Sequence, residues 1–155
     1  MSAYPSFLFV CLGNICRSPL AEAAMRHEAE AAGLDLMIDS AGTGSWHIGK
    51  APDPRSQAEA LRHGIDISGY RARQVVTADF TRFDHIIAMD SSNFANLERL
   101  EPRSSRARLS MLLDHVPGWE GHDVDDPYFG GPEGFVTTWD QVSAAARNLV
   151  AAIRA

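Results

Sequence analysis

One stretch near the N-terminus governs the architecture of this chain: PSFLFVCLGNICRSP, residues 5–19. Its first part, residues 5–10, is apolar and rich in β-forming residues, which predicts a buried strand. Residues 11–14 (CLGN) are typical of a turn, because glycine and asparagine tolerate left-handed backbone. Ser18-Pro19 then predicts a helix N-cap followed by proline at the first helical position.

Strands and helices alternate along the rest of the chain. Gly33 ends the first helix, which its alanine-rich composition predicts from Leu20 to Ala32. This alternation predicts an α/β fold of right-handed βαβ units, with helices on both faces of a mainly parallel sheet. Ligands of such sheets bind beyond the carboxyl ends of the strands, where residues 11–19 lie. The other predicted strands are residues 36–40, 84–89 and 106–113, and the other helices are residues 54–63, 91–100 and 133–154.

Length and composition limit the function classes. A chain of 155 residues fits one domain, which we take as residues 1–155. The net charge of −6 argues against nucleic acid or an anionic membrane as the main partner. The longest apolar runs, residues 7–11 and 149–153, are far shorter than the roughly 20 residues that cross a bilayer. The N-terminal segment MSAYP lacks the basic start and apolar run of a signal peptide, so a cytoplasmic location is expected.

The loop after the first strand has the features of a phosphate site. A loop between a strand and a helix N-terminus directs several backbone N–H groups inward and adds the positive end of a helix dipole. Gly13 permits a positive φ or a close backbone approach, and Asn14 tolerates the left-handed conformation. The result is a cup of donors that fits a tetrahedral oxyanion. We predict that the cup is formed by Leu12, Gly13, Asn14, Ile15, Cys16, Arg17 and Ser18.

Cys11 and Arg17 predict chemistry inside this cup. Cys11 is expected at the end of the strand, at the bottom of the cup, where the phosphate donors also favour the thiolate, the nucleophilic form of cysteine. Arg17 can fold back and meet two phosphate oxygens with its planar guanidinium. Ser18 can donate its hydroxyl to the sulfur or cap the helix. A lone cysteine or arginine is usually structural, but Cys-x5-Arg-Ser-Pro at a strand-to-helix junction predicts a cysteine-dependent phosphatase.

Hydrolysis of an aryl phosphate ester also needs a proton donor for the leaving group. Residues 122–127 (HDVDDP) offer several candidates on a glycine-flanked loop. A metal site built from the histidine and carboxylates of this segment is the alternative, but the segment lacks HExxH or another firm ligand spacing. We therefore predict no metal and no cofactor, and we assign Asp123 to a solvated acidic loop.

The run CLGNICRSP resembles the phosphate-binding loop of the low-molecular-weight protein tyrosine phosphatases, which carry it near the N-terminus. The resemblance implies a doubly wound, flavodoxin-like sheet of four parallel strands in the order 2-1-3-4. It also implies a phosphocysteine intermediate, no metal, and a phosphotyrosine protein or peptide as the substrate. It covers essentially the whole chain, because it continues through residues 39–43 (DSAGT), 46–49 (WHIG), 51–55 (APDPR), 72–74 (ARQ), 89–90 (MD) and 126–128 (DPY).

The resemblance assigns roles to further residues. It implies that Asp126 is the general acid, which later accepts a proton from the attacking water. It implies that Trp46, Tyr128 and Phe129 surround the mouth of the cup; a place in the core is the alternative for Trp46. Tyr70 departs from the family pattern, because many relatives carry a histidine there that helps hold the loop asparagine.

Three alternative functions use the same cup. Some relatives dephosphorylate arginine and resemble this loop with threonine where Ile15 stands; isoleucine donates no hydrogen bond, which favours phosphotyrosine. Arsenate reductases that rely on an intramolecular disulfide relay need further cysteines downstream, and this chain has none after Cys16. A non-catalytic phosphotyrosine-binding module would need no proton donor at Asp126.

Cys16 also suggests redox sensitivity. An oxidant converts a reactive thiol to sulfenic acid, and Cys16 would then capture oxidised Cys11 as a disulfide if their Cα atoms lie within about 7 Å. The alternative is that Cys16 is a small buried apolar residue.

Overall fold

The computed structural model describes residues 4–155. Residues 1–3, which belong to the predicted domain and to the segment without signal-peptide features, lie outside the described residues. The strands are β1 (Phe7–Cys11), β2 (Ile38–Gly42), β3 (His85–Ala88) and β4 (Arg108–Met111). The helices are α1 (Arg17–Ala31), α2 (Pro54–Arg62), α3 (Asp79–Arg82), α4 (Ser91–Leu100) and α5 (Glu133–Arg154), with a 3₁₀ turn at Leu112–His115.

The four strands form one sheet in the order β2-β1-β3-β4, and every neighbouring pair is parallel. This confirms the predicted order 2-1-3-4. In the register, Cys11 stands beside Gly42 of β2, and Val10 stands beside Ala88 of β3. The carboxyl ends of β1, β2 and β3 therefore meet at one edge, where the loop after Cys11 begins.

Successive residues of β1 supply two separate cores, because side chains alternate between the faces of a strand. Phe7 and Phe9 pack into the core that α1 and α5 cover. Leu8 and Val10 pack into the core on the other face, which also contains Leu97 of α4. All five residues of β1 are buried, since the strand has neighbours on both sides and helices on both faces. The predicted covering of both faces is confirmed.

The start of α1 differs from the prediction. The helix begins at Arg17, and its N-cap residue is Cys16, which makes no side-chain capping bond. Ser18 therefore is not the N-cap; its hydroxyl bonds to Cys11 Sγ and to the Asn14 amide, as described below. A hydroxyl engaged in this way is no longer available to cap the helix.

Three other features differ from the sequence-based expectations. The predicted strand over residues 106–113 is shorter, because the chain turns into a 3₁₀ helix at Leu112. The one-turn helix α3 was not predicted. The strand predicted over residues 36–40 lies two residues further on, at Ile38–Gly42. None of the helices within residues 4–155 is both long and apolar enough to cross a membrane.

Candidate active site

The loop that joins β1 to α1 is held by hydrogen bonds to its carbonyl groups, donated by residues of the two following segments of the chain. The backbone N–H groups of Thr43, Gly44 and Asp53 donate to the carbonyl oxygens of Cys11, Leu12 and Ile15, in that order, at 2.8–2.9 Å. The Ser56 hydroxyl donates to the Cys16 carbonyl oxygen at 3.0 Å. N–H and C=O point in opposite directions across a planar trans peptide. The next N–H in each case therefore points away from these anchors, toward the cavity that the loop lines. This arrangement is compatible with the predicted cup of donors, and phosphate binding by these N–H groups stays a prediction.

Two residues let the chain adopt this shape. Asn14 has a φ of 57°, the left-handed conformation expected for it. Gly42, at the end of β2, lies so close to the loop that a Cβ there would be 2.7 Å from the Leu12 carbonyl oxygen. Of the two possibilities predicted for Gly13, a positive φ or a close approach, the structure shows the second: its φ is not positive, and a Cβ on Gly13 would lie 2.9 Å from the His47 ring.

The sulfur of Cys11 lies at the base of this loop. Cys11 is buried, and its Sγ is 3.0 Å from the Ser18 hydroxyl oxygen. The Asn14 N–H donates to the same sulfur at 3.3 Å. The sulfur therefore has two potential hydrogen-bond donors within reach. Of the two roles predicted for Ser18, the hydroxyl at the sulfur is the one observed.

A buried hydrogen-bond network fixes the loop asparagine. Asn14 Nδ2 donates to Ser18 Oγ at 2.8 Å and to Ser40 Oγ at 3.0 Å. Asn14 Oδ1 accepts from the Arg73 N–H at 3.1 Å. Ser40 Oγ in turn donates to Glu22 Oε1 at 2.6 Å. The network therefore runs from the sulfur through two serines to a buried carboxyl of α1.

Tyr70 stands at the far end of this network, beside Glu22 and Arg26. Burial and the negative charge of Glu22 raise the pKa of the Tyr70 phenol to about 12, so the hydroxyl remains protonated at neutral pH. Burial also raises the pKa of Glu22, although Ser40 and Arg26 hydrogen-bond to it. The partners of the Asn14 side chain are Ser18, Ser40 and the Arg73 N–H, so the loop asparagine is held in a chain that lacks the histidine at position 70.

Arg17 is a buried cation that other groups hold in place. Its Nη1 donates to Asp90 Oδ2 at 2.7 Å and to the Val124 carbonyl oxygen at 2.9 Å. Its Nη2 lies 3.6 Å from Asp126 Oδ2. Burial opposes the guanidinium charge, but the negative charges of Cys11 and of the two carboxylates outweigh burial and raise the pKa of Arg17.

The segment after Val124 forms one wall of the site. Asp126 is about a third exposed, and its Oδ1 accepts from the Tyr128 N–H at 3.1 Å. Arg55 holds this segment from outside, because its guanidinium donates to the carbonyl oxygens of Tyr128 and Gly130 at 2.8 and 2.9 Å. Asp53 in turn accepts from Arg55 at 3.0 Å. The acidic loop is therefore tied to the start of α2.

Aromatic rings surround the mouth. Trp46 is 67% exposed, which excludes the alternative of a core position, and Phe129 is 93% exposed. Tyr128 and Phe129 meet edge to face, with ring centroids 4.9 Å apart. The Trp46 ring lies directly on Gly44, where a Cβ would come within 1.9 Å of it. Gly44 therefore leaves room for the ring at the mouth of the cavity, which we call the rim.

Every predicted site residue except Asn14 and Ser18 lines one cavity of about 180 Å³. Asn14 and Ser18 lie behind its wall and position the loop. Asp90 and Glu22 were not predicted as site residues. Asp90 had a signal, because it follows β3 at the edge where the strand ends meet; Glu22 had none beyond its place in the first helix. The cavity is lined by Cys11, Leu12, Gly13, Ile15, Cys16, Arg17, Trp46, His47, Asp126, Tyr128 and Phe129.

Cys11 and Cys16 are both free thiols and both buried. Burial and the negative charge of Asp53 raise the pKa of Cys16, so it remains a thiol at neutral pH. A disulfide between the two cysteines stays a prediction. Across residues 4–155, no group of three or more His, Cys, Asp or Glu side chains is placed to hold a metal ion.

Comparison with known proteins relates this geometry to a family. A sequence model described as low molecular weight phosphotyrosine protein phosphatase matches residues 6–155. The low molecular weight phosphotyrosine protein phosphatase of Schizosaccharomyces pombe is 46% identical over 149 residues, which are 94% of this chain and 95% of that protein.

Solved structures agree with the sequence matches. YfkJ from Bacillus subtilis has a TM-score of 0.90 at 40% identity, covering 98% of this chain and 96% of that one. DARP, the Drosophila arginine phosphatase, has a TM-score of 0.91 at 33% identity, covering 97% of this chain and 98% of that one. With its cysteine-and-arginine loop and its 2-1-3-4 sheet, the chain belongs to the low molecular weight phosphotyrosine protein phosphatase family.

Proposed function

We propose that Cys11 is the nucleophile of this tyrosine phosphatase, that Arg17 binds the phosphate, and that Asp126 is the general acid and then the general base. One observation carries the proposal: all three side chains line a single cavity. The chain has a net charge of −6, so an anionic substrate needs a local set of donors to enter. The loop N–H groups and the Arg17 guanidinium are that set.

The first step transfers the phosphoryl group to the enzyme. The Cys11 thiolate attacks phosphorus, an S–P bond forms, and the bond between phosphorus and the phenolic oxygen breaks. Protonated Asp126 gives its proton to that oxygen, so the leaving group departs as a neutral phenol. The phosphoryl oxygens are bound by donors that are oriented before the substrate arrives, which is the main source of transition-state stabilisation at such sites.

Arg17 is prepared for this step by its fixed partners. Asp90 and the Val124 carbonyl occupy Nη1. Nη2 and Nε are the remaining donors of the guanidinium, and together they have the fork geometry that suits two oxygens of one phosphate. Nη2 already faces Asp126, so phosphate binding brings the acid and the arginine to the same substrate.

The second step hydrolyses the phosphocysteine. Water attacks phosphorus, Asp126 accepts its proton, the S–P bond breaks, and inorganic phosphate leaves. The Ser18 hydroxyl, 3.0 Å from the sulfur, stabilises the departing thiolate by donating to it. This step returns the proton to Asp126, which is then ready to act as the acid in the next turnover.

Phosphotyrosine is the proposed substrate because of the depth of the site. The Cys11 sulfur is buried, while the rings at the mouth are exposed, so the phosphate must be carried inward on a long, flat group. Trp46, Tyr128 and Phe129 offer apolar walls to such a ring. A reduced Cys11 thiol is required, which suits a reducing compartment such as the cytoplasm.

Phosphoarginine is the competing substrate. The fold does not discriminate between phosphotyrosine and phosphoarginine, since the Drosophila arginine phosphatase superimposes closely on this chain. Ile15 does discriminate between the two substrates, because it lines the cavity with a side chain that cannot accept a hydrogen bond from the N–H groups of a guanidino group. Purified enzyme should therefore hydrolyse a phosphotyrosine peptide faster than the matched phosphoarginine peptide, and the reverse order would replace the proposed substrate.

Hydrolysis of p-nitrophenyl phosphate in EDTA tests the nucleophile. The wild-type chain should turn over, and Cys11→Ser should lose at least about 10³-fold in kcat, because a serine hydroxyl without a base is a poor nucleophile. Thermal unfolding shows whether the variant is folded. Binding without turnover by the wild-type chain would indicate a non-catalytic module, and thiol-dependent release of arsenite from arsenate would indicate a reductase.

A leaving-group series tests the acid. Asp126→Asn should slow aryl phosphates with poor leaving groups by about 10²-fold or more, and good leaving groups much less. Asp125→Asn, a change of equal size on the same exposed loop, is the matched control and should show no such trend. If Asp126→Asn slowed all esters equally, its role as proton donor would be wrong.

A further inference from the structure

A second groove adjoins the mouth of the active site. It has a volume of about 290 Å³ and shares Leu12 and Trp46 with the cavity over Cys11. Its other side is formed by the C-terminal part of α4. The part of a bound ligand that extends out of the cavity over these two shared side chains therefore lies in the groove. The lining side chains include Leu12, Thr43, Trp46, Asn96, Arg99 and Leu100.

The groove combines an apolar floor with one cation. Leu12 and Leu100 are each about two-fifths exposed, and Trp46 is more exposed still. Arg99 is exposed and donates to the side-chain oxygen of Asn96, which orients its guanidinium. Within residues 4–155 no carboxylate forms an ion pair with Arg99, so its charge is available to a ligand.

Charge is distributed unequally along α4. At its N-terminal end, Asp123 accepts from the Ser91 N–H at 2.9 Å, and Asp125 follows on the same exposed loop. Arg99 lies eight residues further on, about 12 Å along the helix axis. Glu98 and Glu101 are also exposed near this second end, but Arg99 is the charged residue that lines the groove. A negatively charged side chain is therefore repelled at the first end and attracted where it meets Arg99 inside the groove.

We propose that this groove binds the part of the substrate next to the phosphotyrosine, and that Arg99 selects substrates with Asp or Glu there. The proposal rests on the proposed function. An extended peptide advances about 3.3–3.6 Å per residue, so a carboxylate within about three residues of the phosphotyrosine spans the groove. An apolar neighbour packs on Leu12, Trp46 and Leu100. The substrate class is thus a phosphotyrosine peptide with an acidic and an apolar residue on one side.

Paired phosphotyrosine peptides test this proposal. In each pair one Asp, moved position by position along the three residues on either side, is compared with Asn. At low salt the wild-type enzyme should favour one Asp peptide by about two- to fivefold in kcat/KM, the scale of an exposed ion pair. Arg99→Gln should abolish the preference, Arg99→Lys should retain part of it, and Arg99→Glu should reverse it. Raising the NaCl concentration to 0.5 M should weaken it.

The matched control is Arg147→Gln, which removes one exposed arginine from α5, on the other face of the sheet. It should leave the Asp preference unchanged. None of these variants should alter kcat/KM for p-nitrophenyl phosphate, which does not reach the groove.

The outcomes separate this proposal from the proposed function. If p-nitrophenyl phosphate is hydrolysed but no Asp peptide is favoured, or if the preference survives in Arg99→Gln, the groove is not the recognition site. If the wild-type chain hydrolyses no aryl phosphate, the proposed function itself fails. A dimer that Arg99→Glu dissociates would assign the groove to a second copy of this chain and overturn the proposal.

Discussion

Behind the sulfur of Cys11, Asn14 and Ser18 are buried and every polar atom of the Asn14 side chain has a partner. In front of it, Trp46 and Phe129 are exposed and lie at the rim. The two regions belong to one cavity, but a substitution lowers the free energy of unfolding by different amounts in each. A buried polar network that loses a member leaves other groups unsatisfied, whereas an exposed ring is removed cheaply. The rear of the site, Asn14 and Ser18, therefore fixes the geometry of the loop around the sulfur. The rim, Trp46 and Phe129, tolerates substitution and can vary with the substrate.

Replacing Asn14 should have the largest effect on this contrast, and Asn14→Gly is the first variant to measure. It keeps the left-handed backbone but removes the amide, so Ser18, Ser40 and the Arg73 N–H lose a partner. We expect the free energy of unfolding, measured with urea, to fall by about 3 kcal/mol. We also expect kcat for p-nitrophenyl phosphate to fall about tenfold or more, because the loop donors lose their alignment.

Asn14→Ala is the matched variant. It loses the same hydrogen bonds and also places an alanine at a φ of 57°, which costs about 1 kcal/mol more than glycine. Equal losses in the two variants would contradict the role given to the left-handed backbone. A loss below about 1 kcal/mol in Asn14→Gly would contradict the role given to the network.

Glu22 makes the rear of the site sensitive to pH. Burial raises its pKa above the ordinary value of 4.5, so the folded chain holds this proton more tightly than the unfolded chain. Its contribution to stability is therefore fully present below pH 4.5 and is lost as pH rises through the raised value. In the wild-type chain, the free energy of unfolding should therefore fall as pH rises through this range. In Glu22→Gln, this fall should be absent.

Glu30→Gln is the control for that experiment. Glu30 lies on the same helix but is exposed, so its replacement should leave the pH dependence unchanged. If Glu22→Gln and the wild-type chain gave parallel curves from pH 4.5 upward, the proton on Glu22 would not be linked to folding.

Gly44→Ala should have the smallest effect, and it acts on the rim. The added methyl group would lie within 1.9 Å of the Trp46 ring and displace it. Because the ring is exposed, we expect unfolding free energy to change by less than about 0.5 kcal/mol. We expect kcat/KM for a phosphotyrosine peptide to fall about two- to fivefold through lost contact with the ring.

Gly69→Ala provides the comparison, because a Cβ there meets nothing within 4 Å. It should change neither stability nor peptide hydrolysis. A large loss of stability in Gly44→Ala would show that the rim is as tightly built as the rear, and the contrast between them would fail.

Local sequence signals predicted the sheet and the loop well. The apolar run at residues 5–10 predicted a buried strand, and the glycine and asparagine of CLGN predicted the turn that follows it. The order of the strands came from the family resemblance. These features depend on short segments whose residue types have few alternative conformations.

The partners of the site residues were harder to predict. Ser18 has the sequence of an N-cap but turns its hydroxyl to Cys11, because a buried sulfur and asparagine compete with the helix terminus for it. Asp90 and Glu22 reach the site from other elements, 73 and 18 residues from the groups they bind. Contacts of that kind are fixed by packing of the whole fold, so the place of Asp90 after β3 pointed to the edge of the sheet but not to Arg17 as its partner.

The anchors behind the loop carbonyls have a consequence for how ligands are detected. Residues 43, 44, 53 and 56 hold the cup, so it exists only when the chain from β1 to α2 is folded. An oxyanion bound in the cup then stabilises that whole span: at one hundred times its Kd it adds about 2.7 kcal/mol to the free energy of unfolding. The amide protons of Thr43, Gly44 and Asp53 should accordingly exchange with solvent more slowly when vanadate is bound, which gives an assay for inhibitors that requires no turnover.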